Sequence, residues 1–331
     1  MIEENRKQWV DILKGILIIM VVLGHSYFEY SKYIYWFHMP VFFMLSGYVF
    51  HVPKINTFEW IKNILIKHMI PFCVWWISLS LLSGSFTFHR LLYMMWGGRL
   101  LGGVYWYINC LVLTRIVFLF LSKSNKKNQI FIIPVFYVVA ILESNFLNQF
   151  RTPQGLPTVF CFPWNVDVVL LATVYFFIGY YGDNIIRFLR KRISHVSVLY
   201  MIMISIIFGF LICDLTGISN FKIDMKTTDY SNLIFTVLVP TICFFMFKLL
   251  AEKIQRFRLM STVLSNIGKA SLIIMYTHIY VRELIIKPIL EDKYGISIYI
   301  IISIIVGMLL FNFANKSKVL SFLLLGKSDK S

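Results

Sequence analysis

WVDILKGILIIMVVLGHSYFE, residues 9–29, decides how the rest of the chain reads. Roughly twenty apolar residues are what a helix needs to cross a bilayer, and this stretch has that length. It also carries Asp11, Lys14, His25 and Glu29. Ionisable groups in such a segment are costly and default to function, because they must face protein or water. At 100° per residue, the eleven steps from Lys14 to His25 make three turns plus about 20°, so both side chains share a face, about 16 Å apart along the axis. Asp11 is expected one turn below Lys14 on that face. Glu29 is expected one turn above His25, at i+4, within reach of its imidazole. The segment thus predicts a helix with a polar stripe turned to a protein-lined cavity, with a base near one end and an anion-binding cation near the other. Two plainer readings stand beside it: Lys14 snorkelling to the interface, and His25 bonding a neighbouring helix.

The composition extends this reading to the whole chain. Its 331 residues are 58% hydrophobic and only 15% charged, with a mean hydropathy of +0.73. A soluble domain carries roughly 25% charge, and disordered chains are poor in apolar residues. Ten apolar segments follow one another at about 9–29, 37–53, 69–84, 102–121, 129–144, 164–182, 196–213, 230–248, 270–287 and 295–314. The expected fold is all-α: one polytopic membrane domain over 1–331, with about ten spans and short interfacial amphipathic helices. In KINTFEWIKNILIKH (54–68), Phe58, Ile61, Ile64 and Leu65 share one face, which predicts a helix lying on the interface before the third span. Residues 248–260 show a weaker version. No internal repeat stands out, which counts against an inverted-repeat transporter.

Lys and Arg number 32 against 16 acidic residues, for a net charge of +16. In a soluble chain this would point to nucleic acid; here it points to loops facing an anionic leaflet. With the N-terminus inside, 21 of the 32 basic residues fall in inside segments and 8 outside. That asymmetry predicts ten spans with both termini cytoplasmic, in a bacterial cytoplasmic membrane, and no nucleic-acid partner. Cys73, Cys110, Cys161, Cys213 and Cys243 are scattered without metal-ligand spacing, so neither a metal site nor a disulfide framework is expected. The first apolar stretch contains Asp11 and Lys14 and lacks a small-x-small cleavage site, so it reads as a span and not as a signal peptide.

Further polar residues mark other spans. In FHMPVFFMLSGYVF (37–50), His38 sits level with His25 if the intervening loop is a simple turn. Pro40 belongs to the first helical turn. Ser46 and Gly47 allow close helix packing; Ser46 reads as a packing residue or as a nucleophile. In SNIGKASLIIMYTHIYVREL (265–284), Ser271, His278 and Arg282 lie near one face. His278 is either functional or a bonded structural histidine. Arg115, closing YWYINCLVLTR, and Asp167, in PWNVDVVL, are either site residues or charges paired to set bundle register.

DILKGILIIMVVLGHS followed by FHMPVFFMLSGYVF resembles the opening of membrane acyltransferase family three, and most of all its sugar O-acetyltransferase branch, typified by fucose 4-O-acetylase-like proteins. Lys14 and His25 match that family's motif of a basic residue, ten residues and a histidine. YWYINCLVL (105–113) is similar to its fourth-span segment, with Tyr107 and Ile108 in place of the usual Phe-Leu. PWNVDVVLLATVYFFIGYYG (163–182) resembles its Asp-containing segment, and SNIGKASLIIMYTH (265–278) its late Tyr/His segment. The resemblance implies an enzyme that moves an acetyl group from acetyl-CoA, its co-substrate, onto a hydroxyl of a cell-surface or precursor glycan. It implies that Lys14 and His25 matter most, with His278 and Asp167 next.

On that reading His25 is the general base, with Glu29 and His278 as further catalytic candidates. Lys14, Asp11 and Arg115 are candidates for the donor path; His38, Trp106, Asp167 and Arg282 are candidates for the acceptor. The gap between Lys14 and His25 suits an extended pantetheine arm. Competing readings are a glycan or lipid-linked sugar exporter without acyl transfer, a non-catalytic partner of a glycan synthase, and a longer donor such as succinyl-CoA.

Overall fold

The computed structural model describes residues 8–26, 28–101, 103–150, 162–193, 195–230, 232–288 and 295–327. Cys161 and the basic residues Arg6, Lys7, Arg151, Lys293 and Lys330 lie outside the described residues. Each apolar segment read from the sequence contains a helix, and no strand occurs among the described residues. The helices are α1 (Gln8–Gly24), α2 (Ser31–Tyr35), α3 (His38–Tyr48), α4 (Thr57–Leu82), α5 (Phe88–Met95), α6 (Tyr105–Lys123), α7 (Lys126–Asn148), α8 (Val166–Tyr180), α9 (Gly182–Arg192), α10 (Val196–Leu215), α11 (Phe235–Ile254), α12 (Arg258–Lys269), α13 (Ser271–Val281), α14 (Ile296–Ala314) and α15 (Lys318–Leu325). Seven of them are long and apolar enough to cross a membrane: α4, α6, α7, α8 with the turn before it, α10, α11 and α14. The pair α12–α13, bent by 75°, makes an eighth if it is one span. The chain is a polytopic membrane protein. α1 and α3, at 17 and 11 residues, are shorter than a full crossing.

Two close helix crossings set the centre of the bundle. A Cβ on Gly15 of α1 would fall 2.2 Å from the Leu264 carbonyl oxygen, and one on Gly268 of α12 would fall 1.9 Å from the Asp11 oxygen. At the far end of the same contact, Gln8 donates to Ser261, so the two helices run in the same direction. The second crossing repeats the device. Gly47 of α3 meets the Phe176 oxygen, and Gly179 of α8 meets the Met44 oxygen, each within 2.0 Å of where a Cβ would sit. Small residues that let backbones touch are how membrane helices associate, since lipid offers no hydrophobic drive. The packing role read for Gly47 is realised here. By contrast α10 and α14 are apolar all round and mostly exposed at the rim of the bundle, as lipid-facing helices are.

Two sequence expectations are corrected. Residues 54–68 do not form a separate interfacial helix; they are the first half of α4, which runs unbroken through Pro71 to Leu82. Pro71 removes one helical hydrogen bond, and the Lys67 carbonyl it would have served is where Gly326, just after α15, packs. Nor do residues 248–260 form one helix of their own. α11 continues to Ile254, and α12 starts at Arg258 and leans on α1. An amphipathic pattern looks the same whether its polar side faces water or a neighbouring backbone.

Between α10 and α11 the chain forms a strap over one end of the bundle, residues 219–230. One end is pinned by Asp214, which accepts from Lys32 Nζ (2.7 Å), Tyr33 (3.1 Å) and the Phe221 amide (3.0 Å). The other is pinned at Thr228, whose hydroxyl donates to Asp167 (2.5 Å) and whose carbonyl accepts from Ser144 (2.8 Å). Asp224 and Asp229 close the turn between them through paired backbone bonds.

Candidate active site

One cavity of about 770 Å³ runs through the centre. Lys14, Ile18, Val21 and His25 of α1 line it, at steps of four, three and four residues, which is the stripe a helix presents to one side. Lys14 and His25 therefore open onto the same space. Facing them are α3, α4, α6, α13, the strap and the last residue of α15.

At the His25 end three imidazoles come together: His25 and His38 line the cavity, and His278 lies against His25 but not on the lining. His25 Nδ1 donates to the Val21 carbonyl (2.9 Å), His38 Nδ1 to Ile34 (2.8 Å) and His278 Nδ1 to Ile274 (2.9 Å). A carbonyl only accepts, so Nδ1 carries the proton in each ring. In the neutral form Nε2 is then left with its lone pair. The His25 and His278 rings lie 5.1 Å apart between centroids, and Tyr35 is 5.4 Å from His38. His278 is fully buried, and its Nε2 has no hydrogen-bond partner. The last carbonyls of α1 are capped from outside the helix: Tyr35 donates to the Gly24 oxygen (2.5 Å) and Arg282 Nη1 to the His25 oxygen. Cationic and hydroxyl donors suit that end of a helix, and they fix where the His25 ring stands.

The other end is cationic. Lys14, Lys67, His68 and Arg115 line it. The Arg115 Nε is buried without a hydrogen-bond partner. Lys67 and His68 escaped the sequence reading; the signal was KH just before Pro71, on a helix assigned to the interface. His68 repeats the same tether, donating from Nδ1 to Ile64 (2.9 Å).

The structure sorts the remaining candidates. Trp106 and His38 line the cavity, and Asn165 holds the Trp106 carbonyl at 2.9 Å. Asp167 does not line it. It is sealed in an ion pair with Arg99 (2.7 Å), both side chains at most 2% exposed, because the nearest cation is a buried arginine and not a ligand. Asp167 anchors the strap. Asp11 is buried but lies off the cavity, against α12; three residues are 300°, which leaves it 60° from the Lys14 direction. Glu29 is exposed in a turn, since α1 stops at Gly24 and the i+4 geometry never forms. Arg282 donates to the His25 carbonyl and meets Glu283 (2.9 Å), so it holds the His25 backbone and does not line the cavity. Ser46 lines the cavity wall beside the Gly47 crossing.

A tethered imidazole and a cationic group at opposite ends of one buried passage suit attack by an oxygen on a group carried by a long anionic donor. Residues 7–314 match the family model Acyl_transf_3, described as "Acyltransferase domain".

The chain belongs to this acyltransferase family.

Part of the chain is also 32% identical to the nodulation protein NolL of Sinorhizobium fredii (strain NBRC 101917 / NGR234), in an alignment covering 31% of this chain and 33% of NolL. The match thus spans about one third of that relative's length.

Proposed function

We propose that this acyltransferase moves an acetyl group from acetyl-CoA to a hydroxyl of a cell-surface or precursor glycan in a bacterial cytoplasmic membrane, with both termini cytoplasmic. The observation that carries the reading is that Lys14 and His25 line one cavity about three helical turns apart. Lys14 and Arg115 hold the donor phosphates near the cationic end, and the pantetheine arm lies along α1. The acceptor enters at the His25 end.

His25 Nε2 takes the proton of the acceptor hydroxyl as its oxygen attacks the thioester carbonyl. The tetrahedral intermediate collapses, the C–S bond breaks, and the imidazolium returns the proton to the departing thiolate. His278, whose Nε2 is an acceptor with nothing bound to it, steadies the charge that His25 gains. His38 and Trp106 shape the acceptor side. The 16 Å or so between the two ends lets the acetyl group reach the far side while coenzyme A stays at the cytoplasmic mouth.

The test is acetyl transfer from radiolabelled acetyl-CoA to glycan in membranes containing the protein, with mass spectrometry of surface glycans from cells with and without it. An acetyl mass difference that requires the protein supports the reading. Glycan export without any acyl-CoA dependence would overturn it in favour of a transporter.

A further inference from the structure

Five successive strap residues, Ile223 to Thr227, line the cavity at the His25 end, although a connecting loop ordinarily stays on the surface. The strap is held there by buried anchors at Asp214 and Thr228. Within it, Asp224 Oδ1 accepts from the amides of Lys226 (3.0 Å) and Thr227 (3.4 Å). This bends the chain so that residues 224 and 226 both reach the cavity. The charges of Asp224 and Lys226 both act on the His25 ring.

Lys226 makes no ion pair or side-chain hydrogen bond among the described residues, and burial holds its ammonium below the usual lysine range. The Asp224 carboxylate favours the Lys226 charge without forming an ion pair with it, and a half-buried cation without a direct anionic partner is costly. The donor does not supply one. Its phosphates are bound at the opposite end, and the thioester that reaches His25 is neutral. The remaining molecule at this end is the acceptor. Tyr35 and Trp106 line the same cavity, an aromatic and polar mixture of the kind that orients small ligands.

We propose that Lys226 and Asp224 form the acceptor subsite, and that the acceptor is an anionic glycan whose reacting hydroxyl lies within about one sugar of a carboxylate or phosphate. Lys226 takes the anion and Asp224 accepts from a neighbouring hydroxyl. This rests on the acyltransferase reading for the identity of the donor, and on the strap's own geometry for the acceptor.

The full-length protein in lipid nanodiscs, without donor, is titrated with trigalacturonate, glucose 1-phosphate and maltotriose, following tryptophan fluorescence. At least one anionic probe is expected to bind about tenfold or more tightly than maltotriose, the scale of a charge-assisted hydrogen bond. Preference for trigalacturonate assigns the charge to an acidic sugar, and preference for glucose 1-phosphate assigns it to a glycosyl phosphate. K226Q should erase the preference and K226R should keep it. Equal binding of charged and neutral probes by the wild type, or a preference that survives K226Q, overturns the proposal. Coenzyme A is titrated separately. Its failure to bind would sink the donor assignment and leave the acceptor result standing, while normal coenzyme A binding by K226Q shows that the variant is folded.

Discussion

The two ends of the cavity, marked by His25 and Lys14 of one helix, differ in the side chains that gather there. At one end His25, His38 and His278 are each tied through Nδ1 to a carbonyl four residues back. At the other, Lys14, Lys67 and Arg115 bring charge on long side chains. Rigid rings suit proton transfer, which needs an atom in a fixed place. Flexible cations suit phosphate, which needs charge more than angle. The difference teaches that turnover and donor affinity should separate along α1.

The largest effect should come from the rigid end. His25→Ala is expected to lower kcat by about 10² to 10⁴-fold with donor KM nearly unchanged, measured as labelled acetyl transfer at saturating acetyl-CoA and normal protein abundance. A change confined to KM would erase the contrast. Asp167→Asn weakens the buried pair with Arg99, and breaking such pairs costs about 3–5 kcal/mol. Thermal unfolding should shift down, and the surviving protein should show a raised acceptor KM, because the strap loses an anchor at the His25 end alone. Arg115→Gln, at the cationic end, should raise donor KM about 10- to 100-fold and leave kcat within about threefold; a large kcat loss there would mean the two ends are not separate. Arg282→Gln should have the smallest effect. A few-fold drop in kcat, with a lesser drop for Arg282→Lys, fits a residue that positions His25 through its carbonyl. A kinetic pH profile unchanged in shape would distinguish this from a change in the base itself.

What could be read from the sequence was what one helix determines alone. The Lys14–His25 stripe depends on the 3.6-residue repeat, and it survives in the structure. So do the ten apolar segments, each of which contains a helix. Expectations that needed to know where a helix stops or what it meets did not survive. Glu29 lost its place because α1 ends at Gly24, and nothing in VLGHSYFE marks that stop beyond one glycine. Asp167 stood open between a site residue and a paired charge, and the sequence could not choose because its partner, Arg99, is 68 positions away. The strap residues Asp224 and Lys226 were invisible because a polar loop has no periodicity to interpret. His68 was legible as a histidine, but not as part of the cavity, because residues 54–68 were read as a separate helix on the interface.

The bend between α12 and α13 has a mechanical consequence. α1 is clasped to α12 at Gly15 and Gly268, and its far end is latched to Arg282, one residue past α13. Three rods joined at three corners make a closed frame, and such a frame cannot change one angle without stretching a side. Straightening the kink at Ala270 would swing α13 away from α1 and draw the His278 ring off the His25 ring. The separation of those two rings is therefore a gauge of the bend, readable by a label on either side of Ala270.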